Sequence, residues 1–526
     1  MPTLDWIGKD KVVNHHLDVP YRVLERVYSY DQTGQHDADN GSENMIIHGD
    51  NLEALKALLP QYEGRVKCIY IDPPYNTGNE GWVYNDNVND PRMVAWLGKV
   101  VGSEGEDLSR HDKWLCMMYP RLRLLQRLLA EDGAIFISIG DDEVASLRFL
   151  CNEIFGESNF VDTVIWQKIY TIKNSAKYFS GMHDYIVVYA KSKANFHRNL
   201  FPRTEELDNT YTNPDNDPRG PWTTNAVQAR NYNGAGQYII VSPTGKEYSP
   251  PVGTYWRVSQ ATFEELDRDG RVWWGQDGTS VPRIKRFLSE AKQGVVPTTF
   301  WSYQDAGQNA DAKLEIRKIF NEAGTFDTPK PTRLIERILQ IATDPDSIIL
   351  DSFAGSGTTA HAVLKANAAD GGHRRFICVE LMDYADTITA ERVKRVINGY
   401  GDGKGAVPGI PGDFSFYELG DPLFHGEYLN EDVGIDKIRE YVFFTETRQR
   451  IQPSDTTYYL GSHVGNAYYF YYERDRATML DRSFLDTIDI PATHYVIYAD
   501  LCTLTEDELN ALNITFKKIP RDITRL

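Results

Sequence analysis

The run VKCIYI (66–71) is apolar enough for a strand buried on both faces, and Asp72-Pro73-Pro74-Tyr75 follow it directly. Proline has no N–H to give a sheet ladder and holds φ at about −65°, so a strand entering this segment must stop at Asp72. A short, fully apolar strand of this kind belongs to a parallel sheet covered on both faces by helices. Such sheets bind their ligands beyond the carboxyl ends of the strands. An acid, two rigid residues and an exposed aromatic at that position therefore predict a fixed carboxylate at a ligand site.

The flanking sequence repeats the same layout. MIIHGD (45–50) reads as a strand, NLEALKALLPQY (51–62) as an amphipathic helix and RLRLLQRLLAEDG (121–133) as a helix stopped by glycine. AIFISIG (134–140) reads as a strand, DEVASLRFLCNEIFG (142–156) as a helix and YIVVYAKS (185–192) as a strand. The pattern returns with LIERILQIA (334–342), SIILDSF (347–353), TTAHAVLKAN (358–367), RFICVEL (375–381) and a helix around ITAERVKRVI (388–397). Alternating short strands and helices predict an α/β, Rossmann-like fold with a parallel sheet, its halves at 1–194 and 301–400. Between them, residues 195–300 are dense in Asn, Gly, Pro, Trp and Tyr and predict an inserted, loop-rich module. Residues 401–430, rich in Gly and Pro, read as a linker. The remainder, 431–526, reads as a small α+β domain built on NAYYFYYERD (466–475), ATHYVIYADL (492–501), ITFKKI (514–519) and one helix, TEDELNAL (505–512). Its tyrosines are expected at the surface, for packing or as an interface.

A second stretch, IILDSFAGSGTTAHAV (348–363), runs from strand through glycine turn into helix. Gly355 and Gly357 allow a tight turn and close approach of backbone to a ligand, and Thr358 and Thr359 open a helix whose free N–H groups favour an anionic group. A nucleotide-type cofactor fits here. The turn has no lysine for a GxxxxGK[ST] phosphate loop and lacks the third glycine of the dinucleotide GxGxxG pattern, which disfavours ATP and NAD. Asp351 at the strand tip suits a ligand carrying both an ammonium and a carboxylate, the methionine end of S-adenosylmethionine. Glu380 ends the next strand, where Rossmann-like folds keep an acid for ribose hydroxyls. Toward that cofactor, Asp72 and the Pro73 carbonyl offer acceptors for the two hydrogens of an aromatic amine, and Tyr75 a stacking face for a base extruded from a duplex.

Composition narrows the class further. The chain has 526 residues and a formal charge of −19, which opposes a general polyanion binder. Residues 191–300, however, hold fourteen Lys and Arg against twelve Asp and Glu, so any DNA contact is expected near this region. Five scattered cysteines with no CxxC pair suggest reduced, buried thiols, and the histidines form no ligand spacing, so no metal site is expected. No stretch approaches the roughly 18 apolar residues of a membrane span, and the N-terminus lacks a signal-like core, which together predict a cytoplasmic protein.

GDNLEAL (49–55), DPPYNTGN (72–79), PRLRLLQRLLAEDGAIFISIGDDE (120–143) to FGESNF (155–160), HDYIVVYAKS (183–192), TPKPTRLIERIL (328–339) and LDSFAGSGTT (350–359) together resemble the beta class of amino-DNA methyltransferases. The particular resemblance is to the Mod subunits of type III restriction-modification systems, and it covers most of the chain, from LDWIGK (4–9) to FKKIPRDI (516–523). The resemblance implies that Asp72, Pro73, Pro74 and Tyr75 form the catalytic loop. It implies that Asp351, Phe353, Gly355, Gly357, Thr358 and Thr359 form the cofactor loop, with Lys330 and Pro331 preceding it, Asp50 beside the cofactor and Glu380 as the ribose acid. The catalytic motif precedes the cofactor motif, so the sheet is expected to be circularly permuted, with target recognition in the inserted module. An Asp opening the DPPY motif implies adenine N6 methylation of double-stranded DNA rather than cytosine N4.

The resemblance also implies a bacterial or archaeal homodimer, associated with the nucleoid when on DNA, that assembles with an ATP-dependent restriction subunit or acts alone. Asn76, Arg230, Arg257, Arg283, Lys285 and Arg286 are candidate DNA contacts, with Arg271 beside them. Trp222, Trp256, Trp273 and Trp274 are candidates for core packing or base wedging. Cytosine N4 methylation of DNA, a DNA-binding subunit without turnover and an RNA methyltransferase are the competing readings.

Overall fold

The computed structural model describes residues 3–77, 95, 98–99, 110–292, 294–322, 324–451 and 458–521. Gly78 and Asn79 of the DPPYNTGN segment and the end of FKKIPRDI lie outside the described residues. The described chain divides into two compact units, Leu200–Pro297 and the rest.

The larger unit is organised by one eleven-stranded sheet. Its strands in chain order are β1 (Arg22–Asp31), β2 (Gly34–His36), β3 (Met45–His48), β4 (Val66–Ile71), β5 (Leu129–Ile139), β6 (Phe160–Gln167), β7 (His183–Ala190), β8 (Phe300–Trp301), β9 (Ile348–Asp351), β10 (Arg375–Glu380) and β11 (Phe414–Pro422). In space the order is β8-β6-β7-β5-β4-β9-β10-β3-β11-β1-β2. The six central strands β5-β4-β9-β10-β3-β11 are parallel, whereas β7 runs antiparallel to β5 and β6, and β1 antiparallel to β11. The sheet is thus mixed at its flanks and not wholly parallel as the strand pattern suggested. The helices α1 (Asn51–Tyr62), α2 (Arg110–Leu128), α3 (Val144–Phe155), α4 (Thr332–Ala342), α5 (Thr358–Asp370) and α6 (Glu391–Asn398) accompany the strands. Leu52, Leu55, Leu59, Leu122, Leu125, Ile69, Ile135 and Leu350 meet in its main core.

Cys68 pairs with Ile349, and Ile69 with Leu350, which sets the strand of the DPPY motif beside the strand of the glycine loop. From that junction the chain leaves β4 toward β5 on one side and β9 toward β10 on the other. This is a topological switch point, where an open sheet leaves a crevice at its carboxyl edge. The motif order in sequence is permuted relative to the sheet order, giving a permuted Rossmann-like fold.

Two parts of the domain reading need correction. Residues 401–430 are no linker, because β11 lies inside the main sheet between β3 and β1, with Phe414 and Phe416 buried. Its alternation is masked by flanking glycines and prolines, and its antiparallel partner β1 lies nearly 400 residues earlier in the chain. Residues 431–526 do fold their own four-stranded sheet, from β12 (Tyr459–His463), β13 (Asn466–Phe470), β14 (His494–Ala499) and β15 (Ile514–Lys518). They nevertheless belong to the larger unit: Phe444 of α7 (Ile435–Thr447) sits in the main core, and Tyr21 packs its ring 4.7 Å from Tyr441. Tyr468, Tyr469 and Tyr472 are buried, so they build this core and do not form a surface interface.

The smaller unit holds a three-stranded sheet of Trp222–Ala226, Arg283–Phe287 and Val272–Trp273 beside short hairpins. Trp256 and Trp274 lie in its core with Val227, Ile240 and Phe263, and Trp222 is buried against Trp273. These tryptophans pack; none is presented as a wedge. Among the described residues no helix is long and apolar enough to cross a membrane.

Candidate functional site

The end of β4 delivers Asp72 to the switch point, 8% exposed. Asp72 Oδ2 accepts a hydrogen bond from the ammonium of Lys330, while Asp72 Oδ1 is sealed from solvent with no described protein donor. A buried carboxylate oxygen without a partner is costly to the fold and points to a ligand donor. Asp72 and Lys330 line one cleft with Tyr70, Asp351, Phe353, Gly355, Thr358 and Thr359. Residues separated by 280 positions thus share a site because their strands are neighbours.

Asp351 ends β9 and folds its own loop. Phe353 N donates to Oδ1 at 3.0 Å and Thr359 Oγ1 to Oδ2 at 2.5 Å. Burial outweighs these bonds and pushes the carboxyl up to about 7. Gly355 and Gly357 both have positive φ, 53° and 76°, and a side chain on Gly357 would meet the Thr389 carbonyl at 2.9 Å. Gly355 N donates to Glu380 Oε2 at 2.7 Å and Met382 N to Oε1 at 3.0 Å, so the acid ending β10 holds the glycine turn in place. Burial again dominates and lifts the Glu380 carboxyl to about 7.

Other predicted residues stand just outside the cleft. Asp50 caps α1, accepting from Leu52 N at 2.7 Å and facing Arg121 at 3.4 Å. The adjacent Gly49 N donates to the Glu380 carbonyl at 2.9 Å. Pro331 starts α4 and fits closely against Gly307. Tyr75 is half-buried, not exposed: its ring lies on Gly140, where any side chain would clash at 3.0 Å, and the Lys330 ammonium is 5.2 Å from the ring centroid. Burial first, then the Asp72 carboxylate, holds its phenol well above the usual range.

Two candidate DNA contacts are contradicted. Asn76 is buried in a left-handed conformation, φ 57°, and its amide donates to Glu143 Oε1 at 2.5 Å and to the Arg110 carbonyl at 3.1 Å. Lys285 is 4% exposed and donates to Asp217 at 2.9 Å and to Asp215. A buried polar group is spent on its internal partners and is not offered to DNA. Arg271 is likewise paired with Glu290 and Asp269. Arg230, Arg257, Arg283 and Arg286 are exposed.

The sequence reading missed the residues that hold the catalytic loop. Trp114 Nε1 donates to the Pro74 carbonyl at 2.7 Å, and Glu143, fully buried, receives His111 at 2.6 Å as well as Asn76. Asn51 donates to the Ser352 carbonyl at 2.9 Å and is oriented by Arg121 at 2.5 Å, which ties α1 to the glycine loop. Asn51, Asn76, Arg121 and Glu143 stand in the segments that carry the family resemblance and His111 and Trp114 do not, but nothing local to any of them marks the loop it serves, because that loop meets them only in the fold.

A rigid acceptor carboxylate beside a glycine turn, at a switch point of a permuted Rossmann-like sheet, defines the class of amino-group methylases. Residues 66–391 match the N6_N4_Mtase family, DNA methylase, and the chain belongs to that family. Among its relatives, the Mod subunit of the type III restriction-modification enzyme StyLTI of Salmonella typhimurium is 34% identical over 424 residues, 75% of this chain and 62% of that protein. The EcoPI Mod subunit of Escherichia phage P1 is 33% identical over 425 residues, 72% and 63%. The type II methyltransferase M.KpnI of Klebsiella pneumoniae is 31% identical over 359 residues, 65% of this chain and 81% of the relative. The chain thus spans less than two thirds of the length of the two Mod subunits.

Proposed function

We propose that this chain is a site-specific DNA methyltransferase that moves the methyl group of S-adenosylmethionine to the N6 amino group of an adenine in double-stranded DNA. The observation that carries the reading is the sharing of one cleft by Asp72 and Asp351, with a buried Asp72 oxygen that no described donor satisfies.

The cleft suits the methyl donor. We assign Lys330 to its carboxylate and Asp351 to its ammonium and, behind the residues that line the cleft, Glu380 to its ribose hydroxyls, while the glycine turn admits a close ligand. When bound, S-adenosylmethionine supplies a methyl group on a cationic sulfur. The remaining work is done by the chain. An amino group on an aromatic ring has a lone pair conjugated with that ring, and acceptors at Asp72 and the Pro73 carbonyl turn it out of conjugation. Lys330 already offers Asp72 the N–H donors that such an amine would offer. Drawing the ammonium toward a ligand carboxylate frees that oxygen for the base. Positioning and polarisation then accomplish the transfer without a covalent enzyme intermediate.

The preference for adenine rests on Asp at the head of the DPPY motif. Assembly with a further subunit of a restriction-modification enzyme is supported by the likeness to proteins named as Mod subunits, and homodimerisation, ATP dependence of that partner and a cytoplasmic, nucleoid-associated location are proposed with it. Light scattering should give twice the monomer mass. The deciding experiment incubates the chain with S-adenosylmethionine and mixed DNA, then digests the DNA to nucleosides. N6-methyladenine is the expected product; N4-methylcytosine would correct the base, and absence of either would sink the reading. Asp72→Ala should lower the rate by about three orders of magnitude or more while leaving cofactor affinity within about threefold.

A further inference from the structure

The segment joining β6 to β7, KIYTIKNSAKYFSGM (168–182), carries three lysines and no acid, in a chain whose formal charge is −19. It also exposes four large apolar side chains within ten residues: Tyr170 at 56%, Ile172 at 66%, Tyr178 at 80% and Phe179 at 95%. Exposed aromatics in series are unfavourable in water unless a partner covers them.

The segment is built. Gln167 pairs with His183 at the end of the β6–β7 ladder. Ile169 N then donates to the Met182 carbonyl at 3.3 Å, Lys173 N to Ser180 Oγ at 2.9 Å and Ala176 N to the Lys173 carbonyl at 3.0 Å. Tyr170 stacks on Tyr303 at 5.2 Å. At its base, Lys168 donates to the buried Asp184 at 2.6 Å, leaving Lys173 and Lys177 at the tip. The result is a hairpin extension with a cationic, aromatic tip.

Its position follows from register. Ile71 pairs with Ile137, Ile137 with Val187 and Val187 with Thr163, so the level of Asp72 falls one residue further toward the carboxyl edge. Gln167 and His183 stand four residues beyond Thr163 and Val187 in that direction. The hairpin therefore projects from the same edge of the sheet as the catalytic carboxylate, displaced sideways by two to three strand spacings, roughly 10–14 Å. Its base also stands three residues, roughly 10 Å, beyond the level of Asp72, on the side from which a duplex would deliver an extruded base. Aromatic and apolar side chains inserted between base steps stabilise such openings, and lysines beside them neutralise phosphates.

We propose that the 168–182 hairpin grips the DNA duplex beside the target, with Lys173 and Lys177 on the backbone and Phe179 wedged into the stack left by the extruded base. This rests on the methyltransferase reading above and adds the surface that opens the duplex. The test first locates the methylated site by single-molecule sequencing of DNA treated with the wild-type chain. Phe179→Ala is then assayed on a duplex bearing that site and on the same duplex with an abasic residue opposite the target, where little opening work remains. The variant should lose tenfold or more in rate on the paired duplex, recover to within about twofold of wild type on the abasic one, and bind S-adenosylmethionine as the wild type does. Lys173→Glu with Lys177→Glu should reduce the slope of log affinity against log salt by about two. Full activity of Phe179→Ala on paired DNA, or an equal loss on both duplexes, overturns the wedge while the enzyme assignment stands. A wild-type chain that methylates no DNA removes the assignment and the wedge together.

Discussion

Asp351 and Glu380 are the residues whose chemistry most depends on being folded. Both carboxyls rise to about 7, from ordinary values near 4, chiefly through burial. A carboxyl with a raised folded pKa stabilises the ligand-free fold fully below its unfolded pKa, and that contribution is lost as pH climbs toward 7. A ligand bringing an ammonium to Asp351 and hydroxyl donors to Glu380 favours the charged forms. Binding of S-adenosylmethionine at pH 6 should therefore release up to about two protons, and calorimetry in buffers of different ionisation enthalpy measures them. Proton uptake would contradict the roles assigned to these acids. Which residues carry local chemistry was readable at this scale: Asp72 from the prolines behind it, Gly355 and Gly357 from the turn they permit. Their protonation was not, since burial is a property of the whole neighbourhood.

At the scale of elements, the catalytic loop is stiff because α2 and the turn before α3 hold it, not only because it contains two prolines. Trp114 of α2 fixes the Pro74 carbonyl, and Glu143 gathers Asn76 and His111. Replacing Trp114 by Phe keeps the ring in the core and removes one hydrogen bond, at a cost of about 1 kcal/mol. The rate of methyl transfer should fall about tenfold with substrate KM little changed, because the loop would sample geometries other than the reactive one. A larger rise in KM than fall in kcat would assign Trp114 to DNA binding instead. Helices such as Asn51–Tyr62 and Thr332–Ala342 could be read closely from their periodicity. Strands β1 and β11 could not, since each borrows its hydrophobic complement from an element nearly 400 residues away.

For the whole molecule, the C-terminal sheet is part of the larger compact unit. Phe444 is 1% exposed in the main core, and Asp500, fully buried, holds Arg521 at 2.7 Å. Removing residues 431–526 should leave an insoluble or molten remainder rather than a trimmed active enzyme. Phe444→Ala should cost about 3–5 kcal/mol and lower the midpoint of a single thermal transition. An unaltered midpoint, or two resolved transitions in the wild type, would show that the two parts fold separately.

Sequence alone determined the pieces whose cause is local: a strand stopped by prolines, a glycine turn opening a helix, the alternation that makes an α/β sheet, and the motifs that mark the family. Tertiary structure decided what depends on distant partners. It set β4 beside β9, so that Asp72 and Asp351 share a cleft. It buried Asn76 and Lys285 among internal acceptors, drew the supposed linker into the sheet and lifted a lysine-aromatic hairpin at the catalytic edge. The reason is physical: backbone restriction travels with the residue that imposes it, whereas strand pairing, burial and the satisfaction of polar groups exist only once remote segments have met.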